Sequence, residues 1–207
     1  MELKLAVMVG LAVVGFLCAG VRAESLIYNG SFEKAGEDGV TPDGWETSGR
    51  SGIEQRLTVV EDRARGRVAR LECTEFVAGS PSSHAMAAQL DRVGVERRKW
   101  YRLRLWARAS DLEGGLIQVA LVNRRVWQST GLGGSFVPSQ QWQQFEFTFQ
   151  ADRDLKPEDS RFQIWFGSTG TLWLDEVELE QVSELRREWV PALPLAGVRN
   201  ALPNSSF

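Results

Sequence analysis

At 207 residues the chain has room for one sandwich-sized domain with flanking segments, not two full domains. Hydrophobic residues make up 43% and charged residues 25%, enough apolar material for one core. The formal charge of −3 argues against nucleic acid or another polyanion as the main partner, and a single histidine excludes a multi-histidine zinc site.

The first element is an export signal. Lys4 supplies the positive start, residues 5–19 form an apolar run without a polar face, and Val21-Arg22-Ala23 offers a cleavage site. Residues 1–23 are therefore expected to be removed; a lipoprotein signal ending at Cys18 is the alternative, opposed by the bulk of Phe16 before the cysteine. The run is short for a bilayer span, and no later segment reaches about 18 apolar residues. The expected destination is secreted, extracellular or periplasmic, with no membrane association after processing. Processing leaves Cys73 as the sole cysteine, so no internal disulfide can form. In Leu71-Glu72-Cys73 it alternates with acidic residues, as a buried strand position does.

From residue 24 to 182 the chain reads as short strands. In the segment 100–109, Tyr101, Leu103, Leu105 and Ala107 share one face, opposite Arg102, Arg104, Trp106 and Arg108. Segments 116–122, 144–150, 161–167 and 171–179 are further strands. Breakers separate them at 113–115, 131–135, 152–157 and 167–170. With no amphipathic helix of useful length in this region, the fold class is all-β, an antiparallel sandwich. Residues 183–199 are charged and then proline-punctuated, the composition of a linker. Residues 200–207 end in Asn204-Ser-Ser-Phe207, which repeats the Asn-x-Ser-Phe of Asn29-Gly-Ser-Phe32 and predicts the truncated start of a second similar module.

Catalytic signatures do not emerge. The sequence has no HExxH, no CxxC pair and no GxSxG elbow, and the glycine-rich 131–134 is not followed by GK[ST]. Glu176, Glu178 and Glu180 alternate with apolar residues, as on a solvated strand face.

Four segments in order carry a resemblance: Asn29-Gly-Ser-Phe-Glu33 with Pro42-Asp-Gly-Trp45, then 101–108 (YRLRLWAR), 142–149 (WQQFEFTF) and 172–179 (LWLDEVEL). Together they resemble carbohydrate-binding modules of families four, nine and twenty-two. The resemblance implies a jelly-roll β-sandwich that is no enzyme by itself. It would bind a polysaccharide of β-glucan or xylan type and target a covalently linked glycoside hydrolase or similar module. The alternative is a calcium-stabilised structural or adhesion sandwich without sugar affinity. The resemblance also implies a structural Ca2+ held by Glu33 and Asp175, with carbonyls from Ser31 and from the turn at 64–67.

A sugar site needs aromatic rings for pyranose C–H faces and planar polar groups for equatorial hydroxyls. With Phe162, Ile164 and Phe166 facing the core, Arg161, Gln163 and Trp165 share the other face, where the family's cleft residues fall. Trp127, following a strand, either lines the cleft or caps the core from a loop, and His84 falls near another cleft position or stands as an exposed loop residue. Arg104 and Arg108 reach either that face or solvent. Trp45, Trp100, Trp106, Trp142 and Trp173 are assigned to core or edges.

Overall fold

The computed structural model describes residues 24–48, 51–80 and 83–182. The expected export signal, linker and second-module start lie outside these residues. Among the described residues nine strands run in chain order: β1 (Ile53–Asp62), β2 (Gly66–Phe76), β3 (Ala85–Leu90), β4 (Trp100–Ser110), β5 (Ile117–Asn123), β6 (Gln128–Phe136), β7 (Gln143–Gln150), β8 (Ser160–Phe166) and β9 (Gly170–Val182). One 3-10 turn, Pro157–Asp159, precedes β8. They form a five-stranded sheet, ordered β1-β2-β9-β4-β7, and a four-stranded sheet, ordered β3-β8-β5-β6. Every pairing is antiparallel, and the two sheets pack as a jelly-roll sandwich.

The core follows from two-residue periodicity. On β4 the buried set is Tyr101, Leu103, Leu105, Ala107 and Ala109, and on β8 it is Phe162, Ile164 and Phe166. These meet Leu172, Leu174, Val177 and Leu179 of β9, Leu71 and Cys73 of β2, and Val119 and Leu121 of β5. Cys73 is a buried free thiol, raised above its ordinary pKa mainly by burial.

The N-terminal loop closes one end. Asn29 stands at φ 48°; its amide donates to the carbonyls of Lys34 and Asp43, and its Oδ1 accepts from the Lys34 N–H. That turn drives Phe32 into the core against Trp45, ring centroids 5.2 Å apart, while Trp45 Nε1 donates to the Tyr28 carbonyl. The Val177 N–H donates to the Gly30 carbonyl, and a Cβ on Gly30 would lie 1.9 Å from the Val177 carbonyl oxygen. The Asn-Gly-Ser-Phe motif is thus a clamp between loop and β9. Gln89, fully buried on the core side of β3, completes it by pairing both amide atoms with the Tyr28 backbone.

One expectation is corrected. Residues 131–135 belong to β6 rather than to a breaker. A Cβ on Gly134 would meet the Phe147 ring at 2.7 Å, and one on Gly131 would meet the Gln150 carbonyl oxygen at 2.5 Å. The glycines let β6 approach β7 closely where the two sheets meet, so they mark close backbone approach and not chain reversal.

Gly30→Ala should lower stability by roughly 1–3 kcal/mol, shifting the melting midpoint down by about 4–10 °C. Thermal denaturation followed by circular dichroism checks this, and an unchanged midpoint would show that the clamp carries no load.

Candidate functional site

β8 is an interior strand of the four-stranded sheet, so both neighbours fix its phase. Once Phe162, Ile164 and Phe166 are buried, Arg161, Gln163 and Trp165 must stand on the sheet's outer face. Directly opposite Trp165 lie Met86 of β3 and Gln118 of β5; opposite Gln163 lie Ala88 and Ala120; opposite Arg161 lie Leu90 and Val122. Small neighbours flank Gln163, and among the described residues its amide makes no hydrogen bond. It is left with donors and an acceptor to offer.

His84 precedes β3 and shares the Met86 face. Its ring lies 6.1 Å from that of Trp165, tilted by 52°. Met86, only 1% exposed, forms the floor between them, with its sulfur 2.7 Å from an Arg161 guanidinium nitrogen. Trp127 sits at the end of the β5–β6 turn at φ 53° and is 66% exposed. The Arg161 guanidinium lies over its ring at 5.7 Å. The structure thus brings Trp165, Gln163, His84 and Trp127 to one face around Arg161. The sequence reading did not single out Met86 or Gln118. Its available signal for Met86 was the unalternating apolar run 85–88, which indicates a strand covered on both faces.

Burial, and secondarily the Arg161 charge, pushes the His84 imidazole below its ordinary range, so the ring is neutral at pH 7. An edge donor and acceptor beside an indole face, with a primary amide two residues from that indole along β8, can hold hydroxyls around a stacked ring.

The residues expected to hold calcium are arranged differently. Asp175 lies in a β-bulge of β9, where Glu176 adopts φ 46°. One Asp175 oxygen accepts the Glu176 N–H at 2.8 Å and the other accepts Arg65 Nε at 2.6 Å. Arg65 also reaches Glu176 at 3.2 Å and stacks over Trp106 at 4.4 Å. Ser31 and Glu33 are exposed, and the Glu33 carbonyl accepts from Arg67 at 2.6 Å. The turn expected to supply carbonyls therefore reaches both places with guanidinium groups. Among the described residues no cluster of three or more His, Cys, Asp or Glu is suited to a metal. As placed, Glu33, Asp175 and Ser31 do not fit a calcium ion, because a guanidinium already neutralises the buried carboxylate. Burial nonetheless holds Asp175 above the usual carboxylate range.

The outer face of the five-stranded sheet is also aromatic, but its arginines are taken up by ion pairs and by stacking on the indoles. Arg108 stacks over Trp173 at 3.9 Å and lies 5.4 Å from Trp142, whose Nε1 donates to Asp62. Asp62 also pairs with Arg108, and buried Glu180 accepts from both Arg102 and Arg104. Two expectations change here. Trp106 and Trp173, on interior strands, are half-buried members of an arginine–indole lattice on this face, outside the core, and Trp142 joins it from beside the edge strand β7. Glu180 is a buried ion-pair acceptor, not a solvated acid. Arg104 and Arg108 belong to this sheet, away from Trp165.

Residues 24–171, more than half of the chain, match the carbohydrate binding domain family CBM_4_9, and the protein belongs to that family. The family is non-catalytic. No curated protein sequence matches the chain. Among solved structures, an arabinose-bound α-L-arabinofuranosidase superposes with a TM-score of 0.58 at 16% identity, over 77% of this chain and 26% of that one. A CBM4 structure gives 0.54 at 20% identity, over 75% and 99%. A putative sugar binding protein from Bacteroides thetaiotaomicron gives 0.51 at 11% identity, over 77% and 100%. At these identities the likeness shows the fold alone. This chain spans about a quarter of the arabinofuranosidase's length.

Two predictions follow from the site's electrostatics. An unfolded imidazole titrates near about 6.5, and the folded value lies below it. The unfolded state therefore binds more protons in that window, so His84 contributes stability above about pH 6.5 that is lost as pH falls toward its folded value. Melting midpoints measured from pH 7.5 to 5 should drop further in the wild type than in His84→Gln; parallel profiles would contradict it. Arg65→Gln leaves a buried carboxylate unpaired and should cost about 3 kcal/mol, whereas EDTA should leave the wild-type melt unchanged. A chelator-induced drop reversed by added calcium would show that the ion displaces Arg65.

Proposed function

We propose that this chain is a secreted, non-catalytic module that lays a polysaccharide across the outer face of its four-stranded sheet, as part of a larger carbohydrate-active protein. The observation that carries the reading is the phase of β8, which presents Trp165 and Gln163 outward together and beside His84. A pyranose stacks its C–H face on the Trp165 indole, while the Gln163 amide and His84 ring nitrogens meet its hydroxyls. Trp127 offers a second exposed ring at the end of the sheet for a neighbouring sugar. β-Glucan and xylan are the polymers to try first.

The export signal read at residues 1–23 supports a secreted location, and the linker composition of 183–199 supports attachment to further modules. In such an arrangement the module raises the local concentration of a linked glycoside hydrolase on its polymer, because the second contact becomes intramolecular.

Affinity gel electrophoresis in soluble xylan or β-glucan tests the platform. Wild type should be retarded, with an affinity of about −5 to −7 kcal/mol. Trp165→Ala should lose that retardation while its melting midpoint changes by only a few degrees. Retention of binding by Trp165→Ala, or a collapse of its fold, would reject Trp165 as the platform.

A further inference from the structure

Five half-buried arginines on or beside the opposite sheet pair with carboxylates, Arg65 with Asp175, Arg70 with Glu72, Arg102 and Arg104 with Glu180, and Arg108 with Asp62, and a sixth, Arg67, donates to the Glu33 carbonyl. Arg161 differs in having neither a carboxylate nor a carbonyl acceptor among the described residues. It stands on the proposed sugar face, half-buried, and among the described residues no carboxylate lies within ion-pair distance of it. Its Nε is buried without a hydrogen-bond partner, as are those of Arg70 and Arg108, but no ion pair compensates it. One terminal nitrogen faces only the Met86 sulfur, a weak acceptor, and the guanidinium lies over the exposed Trp127 ring.

The surroundings do not neutralise it. Glu46 is the acid that acts on Arg161, but it is exposed and beyond ion-pair range. Arg124 adds positive charge nearby, although Asp91 holds it at 2.9 Å. Burial pushes the Arg161 guanidinium below its ordinary value, which means that it has given up water without gaining an anion. A planar, always-charged fork beside an exposed indole is suited to a carboxylate oxygen pair, and such pairing is the strong form of hydrogen bond.

Resting on the polysaccharide-binding reading above, we propose that Arg161 is a receptor for the carboxylate of a uronic acid, so that the preferred ligand is an acidic polysaccharide. In this arrangement a pyranose stacks on Trp165 or Trp127, and the carboxylate of the same or an adjoining residue accepts from Arg161. The uronate is supplied either by a branch, as in glucuronoxylan, or by the backbone, as in polygalacturonate.

Isothermal titration calorimetry of the whole chain decides it, with glucuronate-bearing xylo-oligosaccharides, the same oligosaccharides after carboxyl reduction, and oligogalacturonate. Wild type should bind at least one of the two acidic ligands about tenfold or more tightly than the reduced one. Which of the two it binds identifies branch or backbone as the source. Arg161→Gln should bring acidic and reduced ligands to equal affinity, a loss of about tenfold in their ratio, with the melting midpoint little changed. Equal wild-type affinity for acidic and reduced xylo-oligosaccharides, without oligogalacturonate binding, overturns the uronate proposal and leaves the platform standing. Failure to bind any of the three, and neutral β-glucan as well, overturns both.

Discussion

The site depends on one constraint, the two-residue alternation of an interior strand whose inner face must be buried. β8 is hydrogen-bonded on both sides, to β3 and to β5, so it cannot slide without breaking two ladders. Phe162, Ile164 and Phe166 fill the core, and a one-residue slip would replace them with an arginine, a glutamine and an indole. The burial of three phenyl and aliphatic side chains therefore positions Arg161, Gln163 and Trp165 outside. β3 and β5 then supply the neighbours that shape the face: small alanines beside Gln163, a methionine floor beside Trp165, and His84 at the edge.

The two outer faces share a palette of tryptophan and arginine and differ in how their charges are balanced. On the five-stranded sheet Arg65, Arg70, Arg102, Arg104 and Arg108 each meet a carboxylate, and Arg65 and Arg108 lie between indoles. Ordered this way, the lattice binds strand to strand: Arg65 ties the β1–β2 turn to the bulge of β9, and Arg108 links β4 to the end of β1. On the four-stranded sheet Arg161 has no carboxylate within ion-pair distance and the Gln163 amide has no hydrogen-bond partner among the described residues. Buried or half-buried polar groups without partners cost stability, and a ligand that supplies partners recovers it.

Much of this was legible from the residues. The phase of β8 followed from its alternation, the facing sets of β4 likewise, and the buried position of Cys73 from its acidic neighbours. Pairwise chemistry across the fold was not legible. Nothing near Arg65 in the chain reveals that its guanidinium meets Asp175, because the two are joined only when β2 pairs with β9. The same holds for Trp106, Trp142 and Trp173, where alternation gives the face but not the arginines that cover the rings. The glycines of β6 misled for a different reason. Their local signal is the same for a turn and for a strand pressed against another backbone, and only the close approach to Phe147 and Gln150 separates the two.

The central claim is that ligand meets the four-stranded sheet and not the aromatic lattice on the other side. The most direct measurement is a two-dimensional 15N–1H NMR titration with an oligosaccharide, following the indole N–H resonances. The account predicts that those of Trp165 and Trp127 shift progressively with ligand while those of Trp106, Trp142 and Trp173 stay in place. Shifts confined to Trp106, Trp142 and Trp173 would put the binding face on the opposite sheet and contradict it.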